Sequence, residues 1–578
     1  MMRPRFIPAT VSIAPNLRPN AWDMAALPLV LIILVLLAYG GAGMDVPYNI
    51  GDALPISLDP SNLPYYLLRT TLRMAAGLVL SLIFAFLYAT LAAKSRQAEK
   101  ILIPVLDILQ SIPILGFLSI TITGFIAIFP GSLLGVECAA IFAIFTSQAW
   151  NMTFSVYQSM RGLPSDLSDA ASSLRMSFWQ RFWRLEIPFA MPGLVWNMIV
   201  SVSGGWFFVV ASEAISVSGQ NILLPGVGSY ISVAIAARDH MAIIWAITTM
   251  MLAVMLYDQL LFRPLLAWAE KFKSESIQGE QAYESWLFTL MQRAKLVHRL
   301  ADILAFFWDL SFRFFRVRKD GVSGNRFYFK PPPWFDTAWN VSLALLGALA
   351  LLKMGEFVNG EVGWDEVGQV FVLGLITCLR VVVLISLASL VWVPLGVWIG
   401  LRPKAAQWLQ WLAQMLAAFP ANLTFPIAVA LILHFNLNVD IWTSPLMILG
   451  TQWYILFNVI AGASALPSDL KNAADNLGLT GWLKWKRFIL PGIFPYYLTG
   501  AITASGGSWN ASIVSEMVSW GDTTLVATGL GSYIAIATKN GDFPRIALGI
   551  GIMCIFVMGF NRFVWRALQV IAEERLRM

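Results

Sequence analysis

Twelve stretches of this 578-residue chain stay apolar for about the 20 residues that a helix needs to cross a bilayer core. In the first part they are 24–43, 68–93, 101–129, 134–160, 192–216 and 241–262. In the second they are 336–355, 372–400, 408–435, 440–463, 495–520 and 545–570. Helices this apolar bury themselves in lipid or in one another, because water cannot hold them. Composition agrees: 58% of residues are hydrophobic and 12% charged, where a soluble domain carries about 25% charge. A disordered chain and an ordinary soluble enzyme are both excluded. The stretch 24–43 has the look of a signal peptide, but 336–355 holds the same place later in the chain and cannot be a cleaved leader, so both are expected to stay.

Chemistry on a substrate finds no support. Cys138, Cys378 and Cys554 are far apart, with no CxxC, so no metal or disulfide site is expected. His240, His298 and His434 show no ligand spacing. Walker A, HExxH and GxSxG patterns are absent, and no catalytic residue is assigned. The formal charge of +6 is spread along the chain with acids interspersed, which argues against nucleic acid as a partner.

Loop charges predict the orientation, because Lys and Arg collect on the cytoplasmic side. Loop 44–66 carries Asp45, Asp52 and Asp59 with no base, and loop 356–370 carries Glu356, Glu361, Asp365 and Glu366 with none. The opposite loops hold Lys94, Arg96 and Lys100, then Arg402 and Lys404. Arg3, Arg5 and Arg18 precede the first stretch, and Arg575 and Arg577 follow the last. Both termini are expected in the cytoplasm.

The chain repeats itself. Leu163-Pro164-Ser165-Asp166-Leu167 returns 303 residues later as Leu466-Pro467-Ser468-Asp469-Leu470. At that offset Gly204 matches Gly507, Trp206 matches Trp509, Ser212-Glu213 matches Ser515-Glu516, and Gly228-Ser229-Tyr230-Ile231 matches Gly531-Ser532-Tyr533-Ile534. Upstream the offset is 307: Thr70, Arg73 and Pro113 match Thr377, Arg380 and Pro420. Six stretches per repeat, an even number, predict an all-α membrane protein of twelve helices in two parallel repeats about an axis along the membrane normal. The expected domains are a cytoplasmic tail 1–23, a first repeat 24–263, a linker 264–335, a second repeat 336–570 and a tail 571–578. The linker segment 286–318 mixes aromatics (Trp286, Phe288, Trp308) with Arg293, Lys295, Arg299 and Arg313, the composition of an amphipathic helix lying on headgroups.

Between the fourth and fifth stretch of each repeat stands an unusual loop. One reads Asp169-Ala170-Ala171, three residues, Arg175, nine residues, Leu185-Glu186-Ile187-Pro188. The other reads Asn472-Ala473-Ala474, three residues, Gly478, nine residues, Phe488-Ile489-Leu490-Pro491. Small Ala side chains permit close helix approach, and Gly permits a sharp turn. The pattern resembles the EAA loop of ABC-importer permeases, here with both permease halves fused. Gly-Leu-Gly-Ser-Tyr-Ile at 529–534 looks like the nitrate/sulfonate/bicarbonate branch. The resemblance implies a type I importer fold in a bacterial inner membrane. It implies two cytoplasmic ATPase subunits docked on the loops, a periplasmic or lipid-anchored solute-binding protein, and a small anion as substrate. No cofactor is expected on this chain, ATP and Mg being held by the partner subunits, so the chain is no enzyme itself. Departures stand at Asp169, Asn472, Arg175 and Ile187.

The fifth stretches are the candidate pathway. Counting from Pro192, Gly204 and Gly205 lie about 18–20 Å in, just past the middle of the bilayer core. Ser203, Gly204, Gly205 and Trp206, with Ser505, Gly506, Gly507, Ser508, Trp509 and Asn510, are expected to form a constriction whose Ser and Asn side chains donate to a passing anion. Arg73 and Arg380 lie near the level of Glu213 and Glu516, and lone charges in lipid are costly, so ion pairs at the outer gate are expected. A twelve-span carrier driven by an ion gradient is the competing class; such carriers need buried carboxylates or His for coupling.

Overall fold

The computed structural model describes residues 20–48, 55–112, 114–217, 220–272, 285–296, 333–464, 468–520 and 523–575, with Arg299, Asp302 and Leu466 standing between them. The first repeat runs through α1 (Ala21–Ala42), α2 (Leu63–Lys94), α3 (Arg96–Ser111), α4 (Ile114–Ile128), α5 (Leu134–Arg161), α6 (Ser165–Ser173), α7 (Phe178–Arg181) and α8 (Ile187–Glu213). The hairpin β1–β2 (Ala214–Val217, Gln220–Leu223) leads on to α9 (Val227–Ala236), α10 (His240–Tyr257), α11 (Arg263–Ala269) and α12 (Trp286–Arg293). The second repeat runs through α13 (Pro333–Phe357), α14 (Trp364–Gly400), α15 (Pro403–Ala418), α16 (Phe425–His434), α17 (Val439–Trp442), α18 (Ser444–Leu449), α19 (Gln452–Ser464), α20 (Ser468–Asn476), α21 (Gly481–Lys484) and α22 (Leu490–Ser515). It ends with β3–β4 (Met517–Trp520, Thr523–Val526), α23 (Leu530–Asn540), α24 (Phe543–Phe560) and α25 (Arg566–Arg575).

All twelve apolar stretches are mainly helical, but not all are single rods. Among the described residues six helices are long and apolar enough to cross a membrane, or eight if each of two bent pairs is one span. Helices α5 and α22 miss that composition because polar residues such as Glu137, Gln148, Ser505 and Asn510 sit inside them. The third stretch is broken in both repeats, α3 giving way to α4 and α15 to α16, the latter with an 80° bend. Proline explains the breaks: Ile112 precedes Pro113 and Phe419 precedes Pro420, and both are extended, with ψ of 126° and 127°, as a residue before proline prefers. The fourth stretch of the second repeat also bends, by 42°, between α18 and α19.

The fifth helices end earlier than 192–216 and 495–520 predict. Helix α8 stops at Glu213 and α22 at Ser515, and antiparallel hairpins follow. At their other ends both helices emerge from a π turn, Phe182–Glu186 and Trp485–Ile489. Each π turn runs into a proline, Pro188 or Pro491, which has no N–H for the carbonyl four residues back, so the helix widens there.

The third helices tie the repeats together. Helix α4 packs against α22 and α24 of the second repeat, and α15 packs against α8 and α10 of the first. Accordingly one buried cluster joins Ile114, Leu118 and Ile122 to Trp509, Ile513 and Ile552, and another joins Met415, Ala418 and Leu423 to Met198 and Val202. The linker helix α12 does not lie free. It docks on the start of α1, with Leu287 and Leu290 against Ala26, Asn20 Nδ2 donating to Arg293 O at 2.8 Å, and the Arg293 guanidinium 5.0 Å from the Trp22 ring centre. The remainder of the expected amphipathic segment, through Arg313, lies outside the described residues.

Candidate functional site

Two groups of residues are built in duplicate and a third lies between the copies, and their differences carry information. The first is the pair of short helices α6 and α20. In each, two motif residues are exposed and the third is buried: Asp169 and Ala170 face out while Ala171 packs inward, and Asn472 and Ala473 face out while Ala474 packs inward. Both helices end alike. Leu174, Arg175 and Met176 donate back to Ala170, Ser172 and Ala171, and Leu477, Gly478 and Leu479 donate back to Ala473, Asp475 and Ala474. This six-to-one closure needs a left-handed residue, and Gly478 supplies it at φ 67°. Arg175 stands there in the first repeat at φ 49°, a conformation that costs a side-chain-bearing residue about 1–2 kcal/mol. Just before each left-handed residue a leucine is left exposed, Leu174 at 76% and Leu477 at 77%.

The anchoring of these helices differs. Ser168 of α6 accepts from Arg181 at 2.9 Å, Arg181 pairs with Glu186 at 3.0 Å, and Glu186 pairs with Lys94, the last residue of α2, at 2.8 Å. In the second repeat the equivalents of Lys94 and Glu186 are Leu401 and Ile489, and α20 is held instead by a Lys484–Asp475 pair.

The second group lies at the opposite end of α2 and α8, the hairpin face. Arg73 reaches Glu213 at 2.6 Å and Glu137 at 2.6 and 2.7 Å, and Arg69 reaches Glu137 at 2.5 Å. All four are buried. Thr70 Oγ1 and the Gly228 N–H donate to the Glu213 carboxylate at 2.7 Å each. Two cations and two anions sum to zero, the condition under which charges survive burial. The second repeat pairs Arg380 with Glu516 at 3.0 Å and with Asp440 at 3.0 Å, and Thr377 donates to Glu516 at 2.9 Å. Here Arg69 has become Ile376, one cation faces two anions, and Asp440 stays half exposed. Gly226 and Gly529 leave room for the carboxylates, since a Cβ on either would come within 2.4 Å of Glu213 or Glu516. Glu137 and Asp440 escaped the sequence reading, yet they stand 303 residues apart, the offset that relates Glu213 to Glu516.

The third group lies between α8 and α22. A cavity of about 60 Å³ is lined by Ser203, Gly204, Phe207, Phe208 and Gly507 together with Thr451 and Tyr454 beside the α18–α19 break. The other expected pathway residues turn elsewhere. Gly205 is a spacer against α5, its missing Cβ being 2.7 Å from Gln148 Nε2. Trp206 is buried beside Tyr257, ring centres 5.0 Å apart, and Trp509 stacks near Phe556 at 6.3 Å. Bulky rings on these two positions belong to the bundle interiors, and the cavity's aromatic walls are Phe207, Phe208 and Phe419. Ser203 donates to Ile199 O at 2.8 Å and Ser508 to Ala504 O at 2.8 Å, while Ser505 is buried and Gly506 meets open space. Asn510 serves the scaffold instead. Its Oδ1 accepts from the N–H of Ile114, the first residue of α4, at 2.8 Å, so one repeat caps the broken helix of the other.

Comparison with known proteins accords with this duplicated architecture. The family described as "binding-protein-dependent transport system inner membrane component" matches residues 77–262 and again 393–578. A bicarbonate transport system permease of Synechococcus elongatus is 26% identical over 159 residues, 28% of this chain and 52% of that protein. A nitrate import permease of Leptolyngbya laminosa is 27% identical over 199 residues, 34% of this chain and 67% of that protein. An osmoprotectant import permease of Salmonella typhimurium is 25% identical over 174 residues, 30% and 69% respectively. The chain thus spans about half the length of the bicarbonate relative it matches. With two family domains in tandem over more than half its length and helices apolar enough to cross a membrane several times, the chain belongs to the binding-protein-dependent transport system inner membrane components, as a fusion of two permease copies.

Proposed function

We propose that this chain forms both halves of the membrane pathway of an ATP-driven importer for a small anion of the nitrate or bicarbonate kind. Twelve spans form two parallel type I permease repeats in a bacterial inner membrane, with α6 and α20 on the cytoplasmic side. Each seats in one cytoplasmic ATPase subunit, which holds the ATP and Mg; a solute-binding protein delivers the anion to the hairpin face. The observation that carries the reading is the matched pair of exposed leucines. Leu174 and Leu477 stand 303 residues apart on equal turns, and an apolar side chain held out in water at two symmetric places calls for a partner on each. The names of the relatives supply the anion.

Replacing Leu174 and Leu477 together by Asp should abolish co-purification of an ATPase from solubilised membranes and stop ATP-dependent uptake of labelled nitrate or bicarbonate into vesicles. Uptake that ignores ATP and follows a proton gradient would overturn the reading.

A further inference from the structure

The break between α18 and α19 has no equivalent in the first repeat, where α5 runs unbroken from Leu134 to Arg161. At the 303-residue offset Gly450, Thr451 and Tyr454 answer to Ser147, Gln148 and Asn151, all inside α5. Backbone outside a helix at membrane depth is tolerated where it is buried in protein or lines a polar cavity. This one opens on the cavity between α8 and α22.

The walls have a consistent character. Tyr454 is 6% exposed, lines the cavity, and has no hydrogen-bond partner for its hydroxyl among the described residues. That hydroxyl lies 3.1 Å from where a Cβ on Gly204 would stand. Thr451 Oγ1 lies 3.1 Å from Ser508 Oγ and 3.4 Å from Ile448 O; with the Ser508 proton given to Ala504 O, Thr451 is the donor, and it exchanges one of these long bonds to serve an incoming acceptor. Helix α19 is 13 residues long and begins here, with Thr451 and Tyr454 in and before its first turn, so its positive end faces the cavity. No carboxylate is among the lining residues, and Phe207, Phe208 and Phe419 line it with apolar rings. Low surrounding polarity strengthens what a dipole and neutral donors offer an anion. At about 60 Å³ the cavity is well above the roughly 10–15 Å³ that one water needs, and small enough to refuse a large solute.

We propose that this cavity is a single-ion subsite for a small oxyanion, held by the Tyr454 and Thr451 hydroxyls at the start of α19 and supplied by the second repeat alone. It deepens the permease reading above and rests on it. Neutral donors bind an anion without an opposing full charge, so the ion is held in passage and released.

The test uses vesicles carrying the full chain with its ATPase subunits and binding protein, with labelled nitrate and labelled bicarbonate as probes. Tyr454→Phe removes only the hydroxyl. It should leave assembly intact and lower uptake about tenfold, the worth of one hydrogen bond to a charged group. Asn151→Ala, at the equivalent place in the first repeat, should stay within about twofold of wild type, since Asn151 donates nothing to the cavity. Should Tyr454→Phe fail to assemble, Thr451→Val is read by the same criterion. Wild-type uptake with an assembled Tyr454→Phe chain (or, in its place, Thr451→Val) at the wild-type rate overturns the subsite alone, as does an equal loss in Asn151→Ala. Wild-type vesicles that take up neither anion despite ATP overturn the permease reading, and the subsite with it.

Discussion

Among the described residues, ion pairs clamp α2 to α8 at both ends in the first repeat, whereas in the second an ion pair clamps the corresponding α14 and α22 at one end. At the hairpin face both repeats use an arginine on a glutamate, Arg73 on Glu213 and Arg380 on Glu516. At the far end the first repeat has an ion pair, Lys94 on Glu186, where the second has Leu401 and Ile489 and, further along the helices, a 3.0 Å hydrogen bond between Ser389 and Tyr497. The hairpin-face clamps also differ in kind, a dry balanced quartet against a half-wet trio. The difference teaches that duplication preserved the architecture but not the charge balance of the clamps. Charge balance let one copy bury its cluster fully; the loss of one cation, with Ile376 in place of Arg69, kept the other copy in touch with water.

The sharpest way to break this comparison is to remove the central cation from each cluster. Arg73→Ala strands Glu213 and leaves Glu137 with Arg69 alone, and should cost about 3–5 kcal/mol, the usual loss when a buried charge keeps no partner. Arg380→Ala also strands buried Glu516 and should cost about 3 kcal/mol, the low end of that range, because half-exposed Asp440 returns to water. Denaturant or thermal unfolding of the purified chain in detergent reads both; equal losses would erase the distinction between the copies.

Next comes the cavity wall. A Cβ on Gly507 would lie 2.4 Å from Thr451 Cγ2, whereas one on Gly204 would lie 3.1 Å from a hydroxyl that can yield. Overpacking of this sort costs about 1–3 kcal/mol, so Gly507→Ala should destabilise more than Gly204→Ala in the same unfolding assay. The reverse order would mean that the two fifth helices do not share one wall.

Smaller effects are expected at the left-handed turns. Gly478→Ala should lose about 1 kcal/mol, and Arg175→Gly should gain less than about 1 kcal/mol, relief of strain being offset by chain entropy. Hydrogen exchange of the α6 and α20 amides resolves such changes. Smallest is Glu186→Gln: its partner Lys94 is partly exposed, so the loss should stay under about 1 kcal/mol and shrink further in high salt. A loss unaffected by salt would show that the tie is buried more deeply than its geometry implies.

Much of this was legible in the residues. Apolar length marked the long helices but not the short ones between them, such as α6, α9, α20 and α23, and the 303-residue offset alone paired Glu213 with Glu516. What stayed hidden shares one cause: apolar length says nothing of continuity. Pro113 and Pro420 sat within stretches read as single rods, and the Gly450–Thr451 break carries no proline at all. Side-chain direction was hidden too. Trp206 and Gly204 are two residues apart, so they fall on different sides of a helix, and only packing decides that the glycine meets the cavity while the indole turns to Tyr257. Asn510 was read as a donor to cargo because nothing in one linear sequence reveals that α4 of the other repeat begins beside it.

That last contact has a consequence for how the protein can be made. Because α4 packs on α22 and α24 as well as on its own α5, and α15 on α8 and α10 as well as on its own α19, each copy covers part of its interior only with the other. Each lends the other a limb. If the gene were split at the linker, the two products should each be short-lived when expressed singly and should recover only when synthesised together, as interlocking partners rather than stackable modules.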